Sequence, residues 1–325
     1  MLSRESTGIP EGEARSLVRD LDPKATFDAP AEGLLVADTT ADPAAIGGRV
    51  AFSRRVGALV PDGVLDGEQL YQLRSGTYRV RVFGEGDGSE GDEAIISSIA
   101  ERVEGRVSLK DPDREVSAFV VGGGRKTYFA ITTPKSMRQG WVTRRPRSRA
   151  FFHPSAIFPK LSRALVNFSG VQPGEAFLDP FCGTGSLLIE ASIVGAEPIG
   201  VDIARKMVRG ARRNSIKYAQ PWLGVIRGDA RSLPVKTVQA VATDIPYGRA
   251  SSAGGLDSGD ILRWLLELAP GIIPKGRKLV VMHPKTLEVT PILKELGGLR
   301  LEQEHEIYIH RTLTRAITVL RREAP

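Results

Sequence analysis

The 325-residue sequence predicts a doubly wound α/β sheet that closes on an antiparallel hairpin. Three observations carry this. Between residues 175 and 296, short apolar runs alternate with amphipathic stretches of helical period, the pattern of a parallel sheet with helices on both faces. Several of those runs end on aspartate. Residues 299–310 and 314–321 instead alternate apolar and polar positions across a short turn, as a hairpin does.

Taken in order, the buried strands are expected at 175–179, 198–202, 223–227, 238–244 and 278–283, each too apolar on both faces for a half-exposed sheet. Helical patterns fall between them at 186–194, 205–218, 257–268 and 290–296. The remaining length exceeds one ordinary core and calls for about two domains. No run of about 18 apolar residues occurs, and no apolar stretch follows Met1, so neither export nor membrane insertion is expected. The single Cys182 cannot form an internal disulfide, which fits a reducing, cytoplasmic setting. His153, His283, His305 and His310 lack metal-ligand spacing, and no metal site is expected.

The net charge of +7 is segregated. Residues 1–115 carry 14 Lys/Arg against 22 Asp/Glu, residues 116–174 carry ten Lys/Arg and no acid, and the remainder carries 21 against 16. A block of one sign, with Trp141, Phe151 and Phe152 interleaved, offers phosphate partners and stacking faces to a nucleic acid. The residues expected to contact RNA are Arg125, Lys126, Lys135, Arg138, Arg144, Arg145, Arg147 and Arg149.

Ligands of such a sheet bind beyond the carboxyl ends of its strands. Asp179 stands there, opening the loop Asp179-Pro-Phe-Cys-Gly-Thr-Gly-Ser, where Gly183 and Gly185 let a ligand approach the backbone. Asp202 ends the second strand, suited to ribose hydroxyls, and Asp229 ends the third, suited to an adenine amine. A nicotinamide dinucleotide is the rival ligand. Its fingerprint needs a third glycine where Leu188 stands, and a carboxylate at 179 would repel a pyrophosphate. S-adenosylmethionine, with a sulfonium, an amine, a ribose and an adenine, matches this set of acceptors.

Asp179 to Ala191, together with Thr243-Asp-Ile-Pro-Tyr-Gly-Arg249, resembles the amino-methyltransferase branch of the Rossmann-like methyltransferases. More closely, with Phe151-Phe-His-Pro-Ser155 and Tyr308-Ile-His-Arg-Thr-Leu-Thr-Arg315, it resembles the archaeal-type tRNA guanine-10 N2-methyltransferase family. The resemblance implies S-adenosylmethionine as cofactor, held by Phe152, Pro154, Asp179, Cys182, Gly183, Thr184, Gly185, Asp202, Ile203, Asp229, Ala230 and Asp244. It implies a catalytic set of Asp244, Ile245, Pro246 and Tyr247. Asp244 and the Ile245 carbonyl would accept the hydrogens of the guanine N2 amine, Tyr247 would stack on the base, and Asp244 or water would take the surplus proton. The family's usual motif is Asp-Pro-Pro-Tyr, and Ile245 departs from it. No nucleophilic role is assigned to Cys182.

The same resemblance implies a ferredoxin-like domain over residues 1–56, a THUMP RNA-binding domain over 57–133, a basic linker over 134–150 and a methyltransferase domain over 151–325. Within the second, a strand is expected at 77–83 and a helix at 92–103. A monomer acting on tRNA is expected, and a chain beginning near Ala150 is expected to fold alone. The alternatives are a methyltransferase for an amino group of another RNA or of DNA adenine, and a catalytically silent RNA-binding protein.

Overall fold

A computed structural model describes residues 1–60, 65, 67–84, 90–122, 126–134, 140–218, 224–233, 235–247, 257–310 and 313–323. The chain divides into two units: Met1–Arg4, Leu21–Arg49 and Ser53–Gln139 form the first, and Glu5–Asp20, Val50–Phe52 and Gly140–Pro325 the second. Helix α1 (Ile9–Leu21) belongs, up to Asp20, to the second.

The first unit contains the hairpin β1 (Thr26–Ala31) and β2 (Leu34–Asp38), helix α2 (Pro43–Arg49), and a five-stranded sheet. That sheet is built from β3 (Gly57–Val60), β4 (Thr77–Gly84), β5 (Arg106–Val107), β6 (Arg114–Val121) and β7 (Lys126–Thr132), in the order β3-β7-β6-β4-β5. Helices α3 (Gly67–Arg74) and α4 (Glu90–Ala100) supply Leu73 and Ile99 to a core with Tyr78, Val103 and Val116. The expected strand and helix at 77–83 and 92–103 are β4 and α4. On the sheet, Glu115 is buried and is held by Arg55 and Arg79, which neutralise it as burial requires.

After α1, the second unit contains α5 (Pro159–Phe168), a helix not among those expected from the sequence, and then carries the elements read from the sequence. They are β8 (Ala176–Asp179), α6 (Ser186–Ile193), β9 (Glu197–Asp202), α7 (Arg205–Tyr218), β10 (Gly224–Arg227), β11 (Ala240–Asp244), α8 (Ser258–Ile272), β12 (Lys278–Pro284), α9 (Val289–Leu296), β13 (Leu299–His310) and β14 (Leu313–Arg322). The strand order is β10-β9-β8-β11-β12-β14-β13. The first five are parallel, and β14 lies antiparallel between β12 and β13. The order reverses between β8 and β11, so a crevice opens at the ends of these two strands. Asp179 and Asp244 are their last residues.

Two expectations about organisation are corrected. Residues 1–56 do not form one unit, because Glu13 of α1 is buried and accepts hydrogen bonds from the Ala51 and Phe52 amides, each at 2.9 Å, and from Asn167 Nδ2 at 2.7 Å. Asp20 likewise receives Lys278 Nζ at 2.6 Å. Nor do residues 140–149 stand apart as part of the basic linker expected over 134–150. Short 3-10 turns at Val142–Arg144 and Pro146–Ser148 pack on the second unit, with Arg144 only 8% exposed and Arg149 only 7%. Arg144 Nε donates to Glu190 Oε1 at 2.8 Å, beside Arg163 Nη2, which reaches Oε2 at 2.8 Å, and Trp141 lies under both guanidinium groups. Arg149 Nη1 donates to Ser186 Oγ at 2.6 Å. A chain starting at Ala150 therefore lacks α1 and one of the two cations that neutralise Glu190.

Candidate active site

Beyond the carboxyl ends of β8, β9, β10 and β11 lies a cavity of about 480 Å³. Its wall includes Pro154, Asp179, Cys182, Gly183, Thr184, Asp202, Ile203, Asp229, Ala230, Asp244, Ile245, Pro246 and Tyr247. Two residues expected to line it do not: Phe152 is exposed, and Gly185 turns the chain into α6 at φ 80°. A side chain at Gly185 would be strained by that φ and crowded by Ala211 Cβ at 3.3 Å.

Each acid is in a different electrostatic setting. Asp179 is 2% exposed and accepts from Thr243 Oγ1 at 2.6 Å and from the Phe181 amide at 3.2 Å. Burial, helped by the neighbouring charges of Asp244 and Asp202, pushes its carboxyl up to about 7. Asp202 accepts from the Gly183 amide at 2.9 Å and the Ala204 amide at 2.8 Å, and thereby ties the β9 end to the β8 loop. Burial raises its carboxyl too. Asp229 accepts from the Arg231 amide at 2.9 Å as the cap of a short 3-10 turn and pairs with the Arg231 guanidinium at 2.5 Å, which lowers its carboxyl.

Asp244 is gripped from an element far along the chain. Arg315 of β14, 3% exposed in its side chain, pairs with both carboxylate oxygens, Nη1 to Oδ2 at 2.5 Å and Nη2 to Oδ1. The same guanidinium lies 4.1 Å from the Tyr247 ring centroid. Burial raises the Asp244 carboxyl, and the Arg315 charge works against that rise. The register explains the meeting, since Asp244 pairs with Met282 in β12 and Pro284 pairs with Arg315 across β12 and β14.

Ile245 is wholly buried, and its amide donates to the Met282 carbonyl at 3.1 Å. A proline there could not make that bond, so isoleucine in this motif gains a hydrogen bond and a core side chain. Burial raises the Cys182 thiol well above its ordinary range, which leaves it a packing residue. Among the described residues, no group of His, Cys, Asp and Glu could hold a metal ion, and no helix is long and apolar enough to cross a membrane.

Residues 146–317 match the family described as RMKL-like, methyltransferase domain. The chain belongs to this family. Its relatives include the tRNA (guanine(10)-N2)-dimethyltransferase of Methanothermobacter thermautotrophicus, 40% identical over 55% of this chain and 53% of that one. A protein of the same name from Pyrococcus abyssi is 30% identical over 70% of this chain and 68% of its own. The chain thus spans about half to two thirds of the length of these curated relatives. The crystal structure of TrmN from Thermus thermophilus shares the fold at 20% identity, with a TM-score of 0.50 over 99% of this chain and 98% of that one.

Within this RMKL-like methyltransferase unit, His153, Phe181, Met207, Ile261 and Trp264 also line the cavity, and the sequence reading did not place them there. Trp264 sits edge-on to Phe181, with ring centroids 6.1 Å apart. The sequence reading also missed Arg315. The signal was present, because Arg315 closes the quoted segment 308–315, but a lone arginine on a terminal strand points to no partner. Of the residues expected to meet RNA, Lys126, Arg145 and Arg147 are exposed, Arg144 and Arg149 are buried in structural pairs, and Arg125, Lys135 and Arg138 lie outside the described residues.

Proposed function

We propose that this chain transfers a methyl group from S-adenosylmethionine to the exocyclic N2 amine of a guanine in tRNA, at position 10 as in its archaeal relatives. The observation that carries the reading is the pair of carboxylates at the switch point, one raised by burial and one clamped by arginine. Asp179, without a cation partner among its hydrogen bonds, suits the cationic end of the cofactor. Asp202 suits the ribose and Asp229 the adenine edge. S-adenosylmethionine supplies an electrophilic methyl group when bound, and this chain's residues do the rest.

The guanine amine shares its lone pair with the ring and is a weak nucleophile. Asp244 accepts one of its hydrogens and the Ile245 carbonyl the other, which returns electron density to nitrogen along the line of attack. Tyr247, braced by Arg315, holds the base by stacking. Burial raises the Asp244 carboxyl, and Arg315 on both oxygens opposes that rise and so favours the ionised form that accepts from the amine. The proton leaves the methylated amine to Asp244 or to water. Residues 57–133 serve as a THUMP-like RNA-binding domain in this reading, and the protein works as a cytoplasmic monomer. Mass spectrometry of tRNA nucleosides after incubation with protein and cofactor tests it: N2-methylated guanosine is expected, and methylated adenosine alone would refute the substrate.

Two further outcomes follow from the acids. Asp179 must be ionised to hold a cation, and below about pH 7 it carries a proton. Cofactor affinity should therefore rise with pH up to about 7 and level off above it, with a proton released on binding at pH 6. Calorimetry in buffers of different ionisation enthalpy reads this directly, and a flat profile from pH 5.5 to 8 would remove Asp179 from the cation site. Asp202→Ala should weaken cofactor binding by about 1.5–3 kcal/mol, the scale of a hydrogen bond to a charged group, without altering RNA affinity.

A further inference from the structure

Helix α7 carries Arg205, Lys206, Arg209, Arg212, Arg213 and Lys217 in 14 residues and no acid. All six are exposed. Four of them, Arg205, Arg209, Arg213 and Lys217, recur every fourth residue and so stand one above another about 6 Å apart along one stripe of the helix. Like charges at this spacing repel, and cations in the first turn also oppose the helix dipole. Ordinary solvated helices relieve such strain with interspersed acids. Here Arg205, Arg209 and Arg213 have no ion-pair partner among the described residues. A column that lowers helix stability has its physical compensation in an extended polyanion.

We infer that this column of α7 is a phosphate-tracking surface that carries the backbone of the RNA substrate to the active site; the inference rests on the RNA reading above. Its placement is rigid. The buried Asn214 accepts the Phe151 amide at 2.8 Å, and its Nδ2 lies 3.0 Å from both the Phe151 and the Thr184 carbonyls. Gly210 is pressed on the Phe151 ring so closely that a Cβ would lie 2.0 Å from it. Thr184 and Met207 line the cavity, so the helix that bears the cations is bonded to the wall of the site. At its far end, Lys217 donates to the Ser148 carbonyl at 2.9 Å, and the Tyr218 hydroxyl lies within donating reach of the Thr143 and Ser148 carbonyls, at 2.8 and 2.6 Å, sharing its one proton between them. Those bonds set the exposed Arg145 and Arg147 beside the column, extending it with the part of the basic segment that is not buried.

The test uses the full chain and an unmodified tRNA transcript, with binding followed by fluorescence anisotropy against salt concentration. The variant Arg205→Gln/Arg209→Gln/Arg213→Gln should bind at least about tenfold more weakly near 0.1 M salt. It should also flatten the slope of log affinity on log salt by about 2 to 3, as expected for three lost phosphate contacts. Cofactor affinity should stay unchanged, and Tm should stay level or rise as the repulsion is relieved, whereas a structural role would lower it. The control Lys294→Gln/Arg300→Gln, on other elements of the same unit, should leave the slope intact. An unchanged slope and affinity in the triple variant, while the protein still methylates tRNA guanine, overturns the column and leaves the proposed function standing. An equal loss in the control also overturns it, because net charge alone would then be at work. Wild-type protein that neither binds nor methylates tRNA overturns both readings.

Discussion

Replacing Asp244 by alanine is expected to abolish methyl transfer while cofactor affinity stays within a few fold, because in the proposed reading this carboxylate faces the amine and the adenosine is held elsewhere. The alanine variant has a second effect. It leaves Arg315 buried without its counter-charge, and losing one partner of such a pair costs about 3–5 kcal/mol of stability. Asp244→Asn separates the two effects, since it keeps the shape and one acceptor but loses the charge. Its turnover should fall by about 10²–10⁴-fold, the span measured for positioned acid–base groups. Arg315→Gln should lose turnover for a related reason, yet recover part of it at high pH, where the unclamped Asp244 regains its charge. In the double variant the losses should fall well short of additive, because both substitutions remove one interaction. Near-normal turnover in Asp244→Asn, measured by tritiated methyl incorporation into tRNA, would end this mechanism.

Glu190→Ala is expected to destabilise the second unit by about 3–5 kcal/mol. It strips the shared anion from Arg144 and Arg163, whose side chains are 9% and 0% exposed. Urea unfolding followed by tryptophan fluorescence suits the test, since Trp141 lies against both arginines. Replacing the charges together, with Glu190→Leu, Arg163→Met and Arg144→Met in one chain, should restore most of the loss, because apolar residues of similar volume fill a buried site without the desolvation cost. A loss below about 1 kcal/mol in Glu190→Ala would mean that water reaches the pair. The consequence for function is indirect. Glu190 lies on α6, the helix that the loop after Asp179 enters through Gly185, and Arg149 holds the first residue of that helix, Ser186.

Much of this was legible in the chain itself. Buried parallel strands must be apolar on both faces, so their runs and order stood out, and an acid at the end of such a run has few structural reasons to be there. Asp179, Asp202 and Asp244 were found on that logic, and the cavity gathers all three. Asp229 was found on the same logic, but its carboxylate is also the cap of a short turn.

Charge was harder to read, because composition reports the sign of a segment and is silent about its partners. Residues 116–174 hold no acid, yet Arg144 turns inward to Glu190, 46 residues away, and Arg149 to Ser186, 37 residues away. Among the described residues, Arg205, Arg209 and Arg213 of α7 are exposed and have no ion-pair partner, although α7 drew notice only as a helical pattern. Arg315 reaches Asp244 across 71 residues because β14 runs antiparallel beside β12, and α1 joins the second unit through Glu13. By itself, then, the sequence determined the α/β sheet and the acids at its strand ends, which depend on local pattern and chain order. Only the tertiary structure decided which arginines are structural, which clamps Asp244 and which face solvent, because a buried charge takes its partner from whatever element the packing brings beside it.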